Sequence, residues 1–167
     1  ADLGQRYHHA TSLTQGATGE PLPEPVGIPG LKPGATVRVA VVGAHLSGMP
    51  LNSQLTERGA RLVGTASTAP HYRLYALPGT TPPKPGLLRV AEGTGGAIAL
   101  EIWEMPVAQY GSFVALIPAP LGIGTLSLAD GTSVQGFVCE ALATQGAQDI
   151  THLGGWRAYI ASLKTTA

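Results

Sequence analysis

Cysteine, methionine, large aromatics and charge are all scarce in this chain of 167 residues. Cys139 is the single cysteine, and charged residues are 12% of the total. One thiol closes no disulfide within the chain and builds no cysteine cluster for zinc or iron–sulfur, which suits a reducing compartment. The low charge excludes a disordered chain, a coiled coil and an acidic solvating tail. Lys plus Arg and Asp plus Glu are ten each. A phosphate backbone calls for a basic excess, so nucleic acid is not an expected partner. No apolar run approaches the roughly 20 residues that span a bilayer, so no membrane partner is expected either. Residues 1–10 lack the apolar core of a secretory signal, and the sequence starts at Ala rather than Met. It reads as a processed chain or a piece of something longer.

What is present is apolar material, glycine and proline. Hydrophobic residues at 44% suffice for a packed core. The length suits one domain plus a tail. Five of the fourteen prolines fall within residues 16–34 (GATGEPLPEPVGIPGLKPG). Proline removes backbone donors, so this stretch reads as an extended linker. The expected division is a linker or tail over 1–35 and a folded domain over 36–167.

Within the domain the signals are mostly β. VRVAVVG (37–43) is continuously apolar and reads as a buried central strand. NSQLTERG (52–59) reads as a short helix with Asn52 as its N-cap and Gly59 past its end. HYRLYAL (71–77), LLRVAEG (87–93) and AIALEIWEM (97–105) read as strands, the last two joined by a hairpin turn at Gly95-Gly96. Residues 107–115 form a candidate helix with Pro106 near its start. Two alternating runs flank Asp130-Gly131, a strong hairpin signal. A closing helix is expected over 149–162, weakened by Gly154-Gly155. The sum is an α+β fold: a small curled or barrel-like mixed β-sheet, mainly antiparallel after the first strand, with a few short helices.

The loop after the first strand, GAHLSG (43–48), is the most informative segment. Ligands gather at strand carboxyl ends, and a glycine-flanked loop can turn its N–H groups toward an anion. His45 titrates near neutrality, so it is the candidate acid or base. Gly43, Ala44, Leu46, Ser47 and Gly48 are the candidate cradle around it. A tight turn with a structural histidine is the bland reading of the same residues. In the next strand His71, Arg73 and Tyr75 share one face, with Tyr72 and Leu74 on the other. His71, Tyr72 and Arg73 are candidate substrate contacts, with a solvated strand face as the alternative. Glu101 and Glu104 fall on opposite faces, so they are no catalytic carboxylate pair. One of them is a candidate to orient His45 or pair with Arg73. PAPLGIG (118–124) is a connector or pocket wall. Trp156 and Tyr159 read as packed side chains, Arg157 as exposed or interfacial. His8-His9 lacks further metal ligands, and Cys139 reads as a small buried residue.

YHHATSLTQGATGEPLP, VVGAHLSGMPLNSQL, APHYRLYAL, KPGLLRV, EIWEMP, IPAPLGIG, DIT and GGWRAYI occur in that order. Together they resemble the C-terminal domain of bacterial allophanate hydrolase, over almost the whole chain. That family joins this domain to an N-terminal amidase domain with a Ser–Ser–Lys triad. No such segment occurs here, so amidase activity is not expected. The resemblance implies a γ-glutamylcyclotransferase-like fold whose pocket is lined by the 43–48 loop. Cyclotransferases carry a Tyr-Gly-Ser loop and a catalytic Glu. Here the loop reads Val-Gly-Ala-His and no Glu matches, which puts cyclotransferase chemistry in doubt.

The activity implied is decarboxylation of N-carboxycarbamate, the amidase product, in cytoplasmic urea degradation to ammonia and carbon dioxide. His45 is carried over as the catalytic residue. No metal or organic cofactor is implied. The implied partners are a small dicarboxylate-like substrate, the amidase domain of the same polypeptide and a second copy in a homodimer. The alternatives are a non-catalytic docking domain and a regulatory module that binds a small carboxylate without turnover.

Overall fold

A computed structural model describes residues 34–165. The chain divides into two units, Ala1–Ala35 and Thr36–Ala167, and the second carries the architecture below. The linker reading up to residue 33 and the His8-His9 pair lie outside the described residues. The elements run β1 (Thr36–Val41), α1 (Ser53–Thr56), β2 (Arg61–Ser67), β3 (Tyr72–Ala76), β4 (Pro85–Arg89), β5 (Ala99–Pro106), α2 (Val107–Val114), β6 (Leu121–Ser127), β7 (Ser133–Cys139), β8 (Gln148–Asp149) and α3 (Trp156–Thr165). Short 3-10 turns occur at Ala141–Thr144 and Thr151–Leu153.

Two sheets form: five strands in the order β2-β5-β1-β7-β6, and three in the order β4-β3-β8. β1 runs parallel to β7 and antiparallel to β5. The other ladders are antiparallel. The expected α+β mixed sheet, mostly antiparallel after the first strand, is what forms. The barrel-like closure is not: among the described residues the strands divide between two open sheets.

β1 is central as expected, because Val39, Ala40 and Val41 are shielded on both faces. Its chain emerges into the 43–48 loop, beneath α1 and α2. β6 and β7 form the hairpin expected around Asp130-Gly131, with Ser127 opposite Ser133 and Gly131 at φ +85°. Tyr72 and Leu74 are fully buried while Arg73 and Tyr75 are partly exposed, the alternation read from the sequence.

Three local expectations fail for identifiable reasons. Gly95-Gly96 is not a hairpin turn, because β4 pairs with β3 and β5 with β1 and β2. The segment crosses from one sheet to the other. The closing helix starts at Trp156 rather than 149, since Gly154 takes φ +71° and ends the preceding turn. α1 is a single turn, and Asn52 does not cap it; its Nδ2 donates instead to the His45 carbonyl at 2.9 Å.

Candidate active site

The two loop glycines have different tasks. A Cβ on Gly43 would lie 2.2 Å from Pro85 Cδ, so only glycine lets the strand-leaving chain pass that ring. Gly48 sits at φ +73°, a left-handed turn residue. The turn between them is closed by the Leu46 N–H on the Gly43 carbonyl (2.9 Å) and the Leu51 N–H on the Ala44 carbonyl (2.8 Å). The amides of Ala44 and His45 take no acceptor among the described residues.

His45 is fixed on three sides. Its ring stacks on Phe137 with centroids 4.9 Å apart and meets the edge of Phe113 at 5.4 Å. Its Nε2 lies 2.9 Å from Gln54 Oε1. An amide oxygen only accepts, which assigns the proton to Nε2 and leaves the Nδ1 lone pair open. Burial holds the imidazole pKa below its ordinary 6.5. The Gln54 hydrogen bond pulls it back up, and the Lys84 ammonium lowers it further. His45 therefore rests neutral near pH 7.

The ring and the Ala44 backbone line a cavity of about 260 Å³. Lys84 and Pro85 form another wall, and Pro118 and Leu121, from the PAPLGIG segment, a third. That volume suits a small ligand, with one cation, one open imidazole nitrogen and backbone donors against apolar walls.

On the far side of the loop lies a second cleft, about 660 Å³, lined by Leu46, Leu100, Glu101, Trp156 and Arg157. Glu101 is 6% exposed. Its carboxylate accepts from Ser47 N–H (2.8 Å), Ser47 Oγ (2.9 Å), Trp103 Nε1 (3.1 Å) and Arg157 Nη2 (2.8 Å). Burial pushes its pKa up, but the donors from Arg157, Ser47 and Trp103 together hold it below the ordinary value. Glu104, on the opposite face, pairs with Arg61 and Arg38 at the surface.

The structure brings Gly43, Ala44 and His45 to the first cavity. Leu46 turns to the second cleft, Ser47 to Glu101, and Gly48 is exposed at the turn. His71, Tyr72 and Arg73 do not reach the cavity. Arg73 donates to the Thr94 carbonyl (2.8 Å) and faces Asp149 (3.8 Å). The Tyr72 hydroxyl accepts from Arg89 (2.7 Å) and the Ser127 N–H (2.9 Å), and His71 stacks on Tyr72. Glu101 makes no hydrogen bond to the His45 side chain and does not meet Arg73; its cation is Arg157. Trp156 and Tyr159 pack together as expected. Cys139 is buried, and desolvation, aided by Glu140, pushes its thiol up to about 11, too high for a nucleophile.

Sequence reasoning missed Lys84, Gln54 and the Phe113–Phe137 pair. Gln54 carried a signal: the predicted helix follows the loop directly and turns back over it. Lys84 carried none, because the loop that delivers it is irregular and its partner strand lies in the other sheet. No group of three or more metal-ligating side chains forms among the described residues. No helix among them is long and apolar enough to cross a membrane.

Comparison with known proteins follows the same geometry. The family model for the allophanate hydrolase C-terminal domain matches residues 37–161. A urea amidolyase of Lachancea kluyveri is 45% identical over 139 residues, 81% of this chain but 8% of that protein. An allophanate hydrolase crystal structure from Kluyveromyces lactis superposes with a TM-score of 0.75 at 45% identity, over 77% of this chain and 22% of that one. A uropathogenic E. coli-specific protein is 37% identical with a TM-score of 0.70, over 76% of this chain and 97% of that one. An AIG2-like protein of mouse, 20% identical with a TM-score of 0.50 over 65% of this chain and 78% of its own, shares the fold alone. The expected mixed-sheet α+β fold is thus shared with the allophanate hydrolase structure and the AIG2-like protein. The chain spans a small fraction of the curated relatives it matches, and over that span it belongs to the allophanate hydrolase C-terminal domain family.

Proposed function

We propose that the His45 cavity decarboxylates N-carboxycarbamate, the product an amidase domain makes from allophanate. The carrying observation is an imidazole locked by Phe137 and Gln54 in the wall of a small cavity, with Nδ1 open and Lys84 opposite. Loss of carbon dioxide from this dianion breaks a C–N bond, and the electron pair goes to nitrogen. Proton delivery to that nitrogen turns it into a neutral leaving amine. The balance is N-carboxycarbamate plus one proton giving carbon dioxide and carbamate.

His45 is neutral at rest, so it takes up its proton when the dianion arrives. Two nearby negative charges favour the imidazolium and reverse the effect of burial. Gln54 keeps Nε2, so Nδ1 is the atom that gains and delivers the proton. Lys84 and the amides of Ala44 and His45 hold the carboxylates. The earlier candidate Arg73 is replaced in this role by Lys84.

The test is carbon dioxide release from allophanate supplied with excess separate amidase. Wild type should accelerate the decarboxylation step, and His45→Ala should return it to the uncatalysed rate with unchanged circular dichroism. No acceleration by folded wild type would overturn the reading and leave a docking domain as the better account.

A further inference from the structure

We propose that Glu101 and Arg157 are positioning residues that hold the His45 loop from behind, an inference that rests on the decarboxylase reading for its kinetic consequence but not for its geometry. Ser47 stands two positions after His45. Its N–H donates to Glu101, and its carbonyl accepts from Arg157 Nη2 at 2.7 Å. The same Arg157 nitrogen reaches the other Glu101 oxygen at 2.8 Å. Both polar groups of one loop residue are thus gripped, from β5 and from the first turn of α3. With these bonds made, the loop backbone cannot turn without breaking both, one of them to the buried Glu101 carboxylate.

The chemistry of the grip argues for more than adhesion. The pair joins a buried Glu101 to a half-exposed Arg157, and such a pair stabilises a fold weakly; apolar side chains commonly do as well or better. Apolar side chains could join β5 to α3. They could not hold the Ser47 N–H and carbonyl at set angles. Trp103 adds a fourth donor to the carboxylate, and burial of Trp156 fixes α3 from which Arg157 reaches. The loop is suspended between this grip on its backbone and the Phe137–Gln54 grip on its ring. If the first is released, the ring leaves its stack.

Two substitutions separate positioning from simple charge loss. Arg157→Met removes a cation, and Glu101→Gln removes an anion; Lys84, the charged group facing His45, is untouched in both. Through-space electrostatics alone would move the His45 titration in opposite directions in the two variants. Release of the loop raises it in both, because the ring regains water. The expected results are an upward shift of the His45 imidazole NMR titration in both variants. With them should come a fall in kcat on the order of 10- to 100-fold with KM nearly constant, as for a displaced catalytic group, and partial recovery in Arg157→Lys. Opposite shifts, or an unmoved titration with wild-type kcat in a folded variant, would overturn the proposal. If wild type itself shows no turnover, the decarboxylase reading fails and the titration alone decides the positioning.

Discussion

On one side of the 43–48 loop, His45 lies against Phe137 and keeps a ring nitrogen open toward a cavity. On the other side, Glu101 lies in a cleft wall with four donors on its carboxylate. Burial opposes the charged form of both groups. For His45 it prevails, and the imidazole is held neutral. For Glu101 the surrounding donors prevail, and the carboxylate stays charged. The difference is the number of hydrogen bonds each group has been given. A saturated group holds structure; a group with one open site and a depressed pKa is ready to move a proton.

The largest expected effects exchange the two residues' roles. His45→Gln should lower decarboxylation at least about 100-fold, the usual worth of a positioned acid. Its stability loss should stay near ~1 kcal/mol, the stacking on Phe137. Glu101→Leu should cost more than that in urea denaturation. It orphans the buried Trp103 Nε1–H and removes the acceptor of the Ser47 N–H, a loss of about 2 kcal/mol, while the half-exposed Arg157 turns to water. Equal stability losses in the two variants would break the contrast.

Gly43→Ala probes the floor of the active side alone. The new Cβ would meet the rigid Pro85 ring, so a stability loss of about 1–3 kcal/mol is expected, with displacement of the Lys84 segment and a higher KM. Wild-type stability would mean that the backbone yields without strain and that glycine is not required there.

Lys84→Ala sharpens the electrostatic half of the comparison. KM should rise about tenfold, since a charge-assisted contact is lost but water partly screens it. The His45 titration should move up at the same time, because a repelling cation has gone. An unchanged KM would remove Lys84 from substrate binding.

Much of this contrast was legible in advance, and the limits follow from range. Residues 37–43 announced a central strand because a continuously apolar run must be covered on both faces. The Asp130-Gly131 hairpin was legible because its partners are neighbours in sequence. The His45 loop stood out because glycines bracket a titratable residue at a strand end. β2 went unseen. It is an edge strand whose Leu62 and Val63 are exposed, with Gly64 beside a bulge, so burial imposed no period on it. Arg157 was read as exposed or interfacial, and it is half exposed; what went unseen is its pairing with Glu101 and Ser47. Its partners lie 56 and 110 residues earlier, and no local pattern encodes such a distance.

The smallest effect is a pH dependence of stability, and its sign distinguishes the two sides of the loop by where each acts. The folded pKa of His45 is depressed, so the unfolded chain binds its proton more readily. Its contribution is fully present above the ordinary value of 6.5 and is lost as pH falls through the lower folded value. Glu101 follows the same sign in a lower window, beginning to lose its contribution as pH falls below 4.5. Denaturation midpoints measured from pH 8 to 4 should therefore decline in two stages. His45→Phe keeps an aromatic ring beside Phe137 but cannot titrate. It should flatten the upper stage and leave the lower one intact, while Glu101→Gln should make both shallower: the lower in part, since Glu104, Asp130 and Asp149 are also held low, and the upper because the released ring regains water. A wild-type profile flat between pH 7 and 5 would mean that the imidazole is not desolvated, and the reason for its resting neutral would be lost.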